Sequence, residues 1–346
     1  MQYLTDKQEF EISKVLFYPF INASSSDYNT IYTAEVTSAE KAVCLGMKTC
    51  FITFDQPLYM KARDILAATL ISDETFIVIR LGGFHMLMSF MGCIGYIMEG
   101  SDINQVLSLI YTEKTVDHIL YGHAYARAVR AHVLLQLALS RIIFKHLESE
   151  KDFTVLLGSN SDFFSKCNTL QTETVHVADI LENNEFKQWA EIFEKRLREI
   201  ENKGKTAKLW ISYFRMVSIV KDFIVTEKMG DWALHLRCVE LMIPYFHSAG
   251  HFPYAKSSQI YLQDMQELKQ KMDPDSPLAN LQKKCFTARR TDNFFAGIHT
   301  DQTIEQTFMK SMSVESGPFR RGATDSVVHQ CHRAGEVNFF YVWSFD

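Results

Sequence analysis

The stretch "CFITFDQPLYMKARDI", residues 50–65, decides the fold class because it joins a short apolar run to a helical pattern. Aromatic and β-branched residues dominate "CFITF", which predicts a buried strand. Pro57 then falls in the first turn of a helix, where its missing N–H group is not needed. Asp55 lies at the junction, where α/β proteins place functional groups and where aspartate also caps helices. The sequence alone leaves both roles of Asp55 open.

The same order of elements occurs again further along the chain. "TFIVIR", residues 75–80, predicts a second strand, and "FHMLMSFMGCIGYIM", residues 84–98, predicts a helix. A helix over residues 26–47 precedes the first strand, so the alternation predicts a parallel strand pair in an α/β layer. His85 follows the second strand and is expected near Asp55, with a satisfied, partly buried histidine as the alternative.

Composition and motifs exclude several classes of protein. The 346 residues carry a net charge of -5, which argues against a generally basic nucleic-acid coat but not against a local basic surface. The start of the chain lacks a secretory pattern and the seven cysteines are scattered, so we expect an intracellular protein, nuclear or cytoplasmic and not secreted.

Arg80 and His85 interrupt the apolar residues 76–98, so no membrane span is expected. "RLGGFH" lacks phosphate-loop spacing, and we expect no small-molecule cofactor.

Beyond residue 100 the pattern becomes helical, which predicts a mixed α/β, predominantly helical protein. Pro244 is expected to kink the helix at 231–248 or to end it early. A last helix is predicted at 301–312. The other predicted helices cover residues 103–111, 115–147, 186–202, 207–228 and 254–272.

Two basic clusters are candidates for contacts with DNA phosphates. Residues 118–147 contain no acidic side chain, and "KKCFTARR" forms a second cluster near residue 290. A solvated helix face explains the first cluster equally well. The candidate residues are Arg127, Arg130, Arg141, Lys145, Lys283, Lys284, Arg289 and Arg290.

Several stretches together resemble a family of uncharacterised, often multicopy open reading frames from invertebrate genomes. They include "FITFDQPLYMKARDI", "VIRLGGFHMLMSFMGCIGYIMEGS", "GHAYARAVRAH" and "DQTIEQTFMKSMSV". These stretches also look like parts of transposon-derived, RNase H-like proteins of the DDE type. The resemblance implies four segments: a partial RNase H-like α/β segment at 18–100, a large all-helical insertion at 101–275, a return segment with the final core helix at 276–326, and an atypical tail at 327–346.

The resemblance also implies an ancestral chemistry, metal-dependent DNA phosphoryl transfer. Asp55 would be the second carboxylate and Glu305 the third, together holding Mg²⁺, with His85 as a weaker candidate. The family's first three strands should precede residue 18, where residues 1–17 are too few for them. We therefore expect a catalytically incomplete fragment with residual DNA binding and an exposed sheet edge that favours self-association.

Two other functions stay open from the sequence. The first is a helical protein-interaction module without enzymatic activity, which would use the apolar grooves of the helical block. The second is a small-molecule or nucleotide enzyme at the strand ends, which no phosphate loop or nucleophile motif supports.

Overall fold

The computed structural model describes residues 12–13, 21, 23–47, 49–72, 74–148, 183–271, 286–289, 291–292 and 295–304. Some of the predicted site residues lie outside the described residues, namely Lys283, Lys284, Arg290 and Glu305. Helices predominate in the described part, as the sequence predicted. None of the described helices has both the length and the apolar character needed to cross a membrane.

The elements follow the predicted alternation and then a long series of helices. The first six are α1 (Tyr28–Cys44), β1 (Thr49–Phe54), α2 (Gln56–Ala68), β2 (Phe76–Leu81), α3 (Gly83–Ile97) and α4 (Ile103–Ser108). The next six are α5 (Glu113–Leu120), α6 (Tyr125–Glu148), α7 (Asn184–Glu201), α8 (Lys205–Met229), α9 (Trp232–Ser248) and α10 (Phe252–Lys271). The last three are β3 (Ala288–Arg289), β4 (Gly297–Ile298) and α11 (Thr300–Ile304).

The predicted parallel strand pair is confirmed. β1 and β2 pair in parallel with Thr49 opposite Phe76 and Phe54 opposite Leu81, and α2 makes the crossover between them. Residues 77–81 of β2 are all buried, as a strand covered on both faces requires. The second sheet in the described residues is the short antiparallel pair β3–β4.

The chain divides into two compact units. In the described residues, the helical unit comprises 88–148, 183–225 and residue 295. The strand unit comprises the described parts of 11–87, 226–292 and 296–304. It contains both strand pairs, α1, α2, α9, α10 and α11.

The helical unit has an apolar core where α6, α7 and α8 meet. Buried Leu147, Leu197 and Phe214 lie in this core. Trp189 stacks on Phe193 at 5.5 Å between ring centroids, which adds flat aromatic area to the contact. The packing of these apolar faces, more than helix propensity, keeps the helices together.

In the strand unit, α10 is attached to α2 by a partly buried polar contact. Both nitrogens of the Arg63 fork donate to Asp264, at 2.6 and 2.7 Å, and Tyr59 donates its hydroxyl to the same carboxylate at 3.1 Å. A bidentate pair of this kind fixes orientation as well as distance.

The prediction of one continuous helix at 115–147 is wrong. α5 ends at Leu120, and α6 begins at Tyr125 after a turn. Gly122 adopts a left-handed φ of 75° there. A Cβ atom on Gly122 would lie 2.2 Å from the backbone oxygen of Met88. Glycine therefore allows both the turn and the close approach of α3.

Of the two outcomes expected at Pro244, a kink or an early end, the early end does not occur, since α9 continues to Ser248. A proline inside a helix removes one backbone hydrogen bond and crowds the preceding turn. Buried side chains on both sides of Pro244, including Val239, Met242 and Phe246, hold the helix in place against that cost.

Substitution of Gly122 tests the role of this turn. Gly122→Ala should lower the free energy of unfolding by at least about 2 kcal/mol more than Gly100→Ala, because only residue 122 would also be overpacked. Gly100 has the same φ of 75° but no atom within 4 Å of its Cβ position, so its substitution reports the backbone strain alone. Urea denaturation of both variants measures the difference, and equal losses would contradict the close contact.

Candidate functional site

The carboxyl ends of β1 and β2 lie side by side and start two helices. The N–H group of Gly82, just after β2, donates to the carbonyl oxygen of Phe54 at 2.7 Å. Asp55 is the N-cap of α2, and its carboxylate accepts a hydrogen bond from the Leu58 N–H group at 3.3 Å. In this structure Asp55 therefore has the capping role that its sequence context suggested.

The N-terminus of α3 receives a carboxylate from a distant part of the chain. Asp301, in the first turn of α11, accepts hydrogen bonds from the backbone N–H groups of Phe84, at 3.0 and 3.1 Å, and His85, at 3.2 Å. Its Oδ2 atom also lies 3.2 Å from Nδ1 of His85. Free N–H groups and the helix dipole make this end of a helix favourable for an anion.

The two glycines before α3 allow this approach. A Cβ atom on Gly82 would lie 2.6 Å from Oδ2 of Asp301, and one on Gly83 would lie 2.6 Å from Nδ1 of His299. In nucleotide-binding folds a phosphate occupies the corresponding place, whereas the protein's own carboxylate fills it here. This occupancy argues against a nucleotide enzyme.

The surroundings of Asp301 keep it charged. Burial alone raises the pKa of this carboxyl, but the hydrogen bond from His85 and the nearby His299 together hold it below its ordinary value. His85 is partly buried, which agrees with the alternative that the sequence left open. Sequence reasoning missed Asp301, although an acidic residue in the first turn of a predicted helix was a visible signal.

A second buried carboxylate lies between two histidines. Glu227, near the end of α8, places Oε1 3.1 Å from Nδ1 of His235 and Oε2 3.3 Å from Nδ1 of His299. Burial opposes ionisation, but His299 and His235 hold the pKa of Glu227 well below its ordinary value. The far side of His235 faces the hydroxyl of Tyr261, at 3.4 Å.

Arg80 supplies the positive charge of this interior. Its Nη1 atom donates to the carbonyl oxygen of Phe286 at 3.0 Å, and its guanidinium lies over the rings of Trp232 and Phe286 at 5.7 and 5.0 Å. We call Arg80, His85, Glu227, His235, His299 and Asp301 the strand-end cluster. Its members lie on β2, the first turn of α3, the last turn of α8, α9 and the start of α11, all among residues of the strand unit.

The Mg²⁺ site that the resemblance implies pairs Asp55 with Glu305, and Glu305 lies outside the described residues. Both strand-end carboxylates, Asp55 and Asp301, are engaged by backbone N–H groups. Among the described residues, no group of three or more His, Cys, Asp or Glu side chains could hold a metal ion. Tyr254 also faces the strand ends. Burial raises its pKa, and the negative charges of Asp55 and Asp301 raise the pKa further. The described residues at the strand ends form a hydrogen-bonded anchor.

The helical unit contains the second candidate site, the outward side of α6. The inward side of α6 is attached to α8 by polar contacts. His132 Nδ1 lies 3.0 Å from the Tyr213 hydroxyl, and Gln136 donates to the Phe214 carbonyl and the Ser218 hydroxyl at 2.8 Å. Burial lowers the pKa of His132 to about 4, so this imidazole is neutral at pH 7. These contacts fix which side of α6 faces outward.

The outward side combines exposed cations with two leucines. Leu134 is 45% and Leu137 64% exposed, and both lie on the same side as the cations, opposite His132 and Gln136. Within the described part of the helical unit, Arg196 and Arg215 pair with glutamates of α7, and the four cations of α6 are exposed. We call this surface the basic face of α6; it consists of Arg127, Arg130, Leu134, Leu137, Arg141 and Lys145.

Arg289, also predicted to contact DNA, lies inside the strand unit. It is only 3% exposed, and its Nη2 atom donates to the carbonyl oxygen of Met229 at 2.8 Å. Its backbone N–H group donates to the hydroxyl of Ser13 at 2.9 Å. Burial lowers the pKa of Arg289 to about 10. A guanidinium in this position is a structural contact and cannot reach a DNA backbone.

One further carboxyl is buried in α1. Glu35 is fully buried, and neither of its oxygens has a hydrogen-bond partner in the part of the chain that the structure describes. Burial raises the pKa of Glu35 to about 8, so the side chain is a neutral acid at pH 7. Burial of the uncharged form avoids the larger cost of a buried charge.

Comparison with known proteins identifies a family but no function. The chain belongs to the family described as a domain of unknown function, DUF8702, which matches residues 1–337. No curated protein shows a significant match to the chain, and no solved structure does either.

Replacing Asp301 by asparagine tests the anchor at α3. Asp301→Asn should lower the free energy of unfolding at pH 7 by about 2–3 kcal/mol, because the charged acceptor of two backbone N–H groups is lost. Folding lowers the pKa of Asp301, so its contribution is present above the unfolded pKa of about 3.9 and is lost as the pH falls through the folded value. Chemical denaturation of both proteins from pH 7 to pH 3 should show the difference shrinking. Asp292→Asn, at an exposed position, is the control, and a difference independent of pH would contradict a role for the charge.

Glu35 gives the opposite pH dependence. Its pKa rises from 4.5 to about 8 on folding, so the folded state holds the proton more tightly and the unfolding free energy falls as the pH rises through this range. Glu35→Gln should remove this decline, whereas Glu40→Gln, at an exposed position on α1, should retain it. Urea denaturation at several values between pH 5 and pH 9 measures both profiles. Parallel profiles for wild type and Glu35→Gln would show that Glu35 ionises normally in the folded protein.

Proposed function

We propose that this DUF8702 protein is a transposase-derived, RNase H-like protein that binds DNA through the basic face of α6 and does not cut it. The observation that supports binding is four exposed cations on one side of α6, within a stretch from His118 to Leu147 that has no acidic residue, with the other side fixed to α8. An intracellular, nuclear or cytoplasmic, location goes with this proposal.

The order and pairing of elements support the RNase H-like ancestry. β1, α2 and β2 form a parallel unit, and a long series of helices follows before the chain returns to β1. The return is made by α11, where the Thr300 hydroxyl lies 3.2 Å from the hydroxyl of Thr53 in β1. The resemblance places the helix with the third carboxylate at this position. We therefore propose that residues 101–275 are an insertion between the two parts of the α/β layer.

The positions of the carboxylates support binding without cleavage. Two-metal phosphoryl transfer needs carboxylates whose oxygens face metal ions. Asp55 caps α2 through Oδ1, which accepts from one backbone donor, and both oxygens of Asp301 accept from backbone donors at α3. The chain has retained acidic residues at the strand ends and uses the described ones to hold helices and the return segment together.

The physics of phosphate binding suits the basic face of α6. A protein that neutralises DNA phosphates releases condensed counterions, which supplies affinity without sequence recognition. The chain as a whole carries a net charge of -5, so this attraction must come from a local surface. The stretch from His118 to Leu147 has no acidic residue that could weaken it.

A helical protein-interaction module is the second candidate function. It is favoured by apolar residues exposed in the helical unit outside α6. Leu109 is 84%, Ile110 71% and Tyr121 70% exposed. Large exposed apolar side chains are common at protein interfaces, including those of self-association. This function needs no contact with DNA.

Salt-dependent DNA binding tests the proposal. Fluorescence anisotropy with a labelled mixed-sequence DNA duplex should show affinity falling steeply with salt. Neutralising the basic face should reduce the slope of log affinity against log salt by about 3–4, since each phosphate contact contributes about 0.9. The variant changes Arg127, Arg130, Arg141 and Lys145 to glutamine.

The control variant removes the same charge from another exposed surface of the helical unit and should retain the wild-type slope. It changes Lys195, Arg198, Lys205 and Lys208 to glutamine. A wild-type affinity that does not change with salt, or an equal loss of slope in both variants, would overturn the proposal for α6.

A further inference from the structure

Cations and leucines occupy different parts of the basic face of α6, and phosphate binding alone does not require this arrangement. Cations occupy its two ends, Arg127 and Arg130 at one and Arg141 and Lys145 at the other. The middle instead exposes two leucines on the same side. An exposed leucine adds nothing to the attraction for phosphate, so the middle of the face offers an apolar contact in place of a charged one.

The spacing along α6 matches one feature of DNA. Arg130 and Arg141 are eleven residues apart, which is about 17 Å along a helix. The major groove of B-form DNA is about 12 Å wide and admits an α-helix. A helix lying across this groove has its middle over the base edges and its ends, roughly 8 Å to either side, over the two phosphate backbones.

The base edges offer an apolar group to the leucines. In the major groove thymine presents its C5-methyl group, which apolar side chains contact. Leu134 and Leu137 are one helical turn apart and both face outward, so they can cover neighbouring positions along the groove. Hydrocarbon contact of this kind is favourable because it removes apolar surface from water.

We propose that α6 lies in the major groove of B-form DNA, with its basic ends on the two phosphate backbones and with Leu134 and Leu137 against thymine methyl groups. The inference rests on the proposed DNA binding and adds to it a duplex type and a base preference. A-form RNA is not a suitable partner, because its major groove is too deep and narrow for side chains to read.

The arrangement fits a membrane surface poorly. A helix that lies on a membrane has apolar residues on one side and its Lys and Arg residues on the other. On α6 the exposed leucines and the cations share one side, and the opposite side is occupied by the buried contacts of His132 and Gln136. The distribution of charge therefore favours DNA.

Thymine methyl groups can be removed without altering base pairing. The experiment compares a mixed-sequence DNA duplex with the same duplex in which deoxyuridine replaces every thymidine. Wild-type protein should bind the thymidine duplex more tightly, by roughly fourfold for each methyl group that a leucine covers. The double variant Leu134→Ala, Leu137→Ala should bind both duplexes equally and retain the wild-type salt slope, because its cations are unchanged.

Matched controls separate the possible results. Leu109→Ala, Ile110→Ala removes two exposed apolar side chains outside α6 and should keep the thymidine preference. An RNA duplex and phosphatidylserine-containing vesicles are the additional probes, and both should bind more weakly than DNA.

Salt-dependent DNA binding without preference for thymidine, or with equal affinity for RNA, would overturn the major-groove inference and leave the proposed function standing. Salt-independent binding or no binding to any duplex would overturn the proposed function itself. Tighter binding to vesicles, reduced by the leucine variant, would replace DNA by a membrane surface.

Discussion

The contact between Asp301 and the N-terminus of α3 is the interaction on which the strand unit depends. One carboxylate accepts hydrogen bonds from two backbone N–H groups and lies against the His85 ring. It thereby attaches α11 to the ends of β1 and β2. Gly82 and Gly83 leave room for the carboxylate and for His299, and Glu227 links that histidine to His235 on α9. The strand ends, three helices and the return segment share this one buried arrangement of charges.

This constraint also shapes the proposed function. An α/β protein offers its strand ends to ligands, but here the anion position at α3 is already filled by Asp301. The surface available for a polyanionic partner is in the helical unit instead. There the contacts of His132 and Gln136 with α8 determine the outward direction of α6, and the exposed cations follow from it. A protein that binds DNA but performs no chemistry on it is consistent with both arrangements.

Much of the fold could be predicted from local patterns. β-branched runs predicted β1 and β2, and their alternation with helices predicted parallel pairing, because such strands need a covered crossover. Capping chemistry placed the start of α2 at Asp55. Tertiary packing overrides the local helix pattern at Gly122, which separates α5 from α6 at a contact with Met88. Of the two outcomes expected at Pro244, packing excludes the early end of α9. The candidate site was harder, since Asp301 and Arg80 are separated from their partners by more than 200 residues.

By itself the sequence determined the classes of element, the parallel pair, the start of a helix just after Asp55 and the presence of a stretch, residues 118–147, that is rich in cations and has no acidic residue. These properties depend on neighbours within a few residues, through backbone sterics, helix periodicity and local hydrogen bonds. Only the tertiary structure decided which charges are buried. Arg289 and Arg127 belong to similar basic clusters in the sequence, yet Arg289 lies inside while Arg127 is exposed. The exposure of a side chain depends on which distant segments pack over it. A local sequence pattern does not show which segments these are.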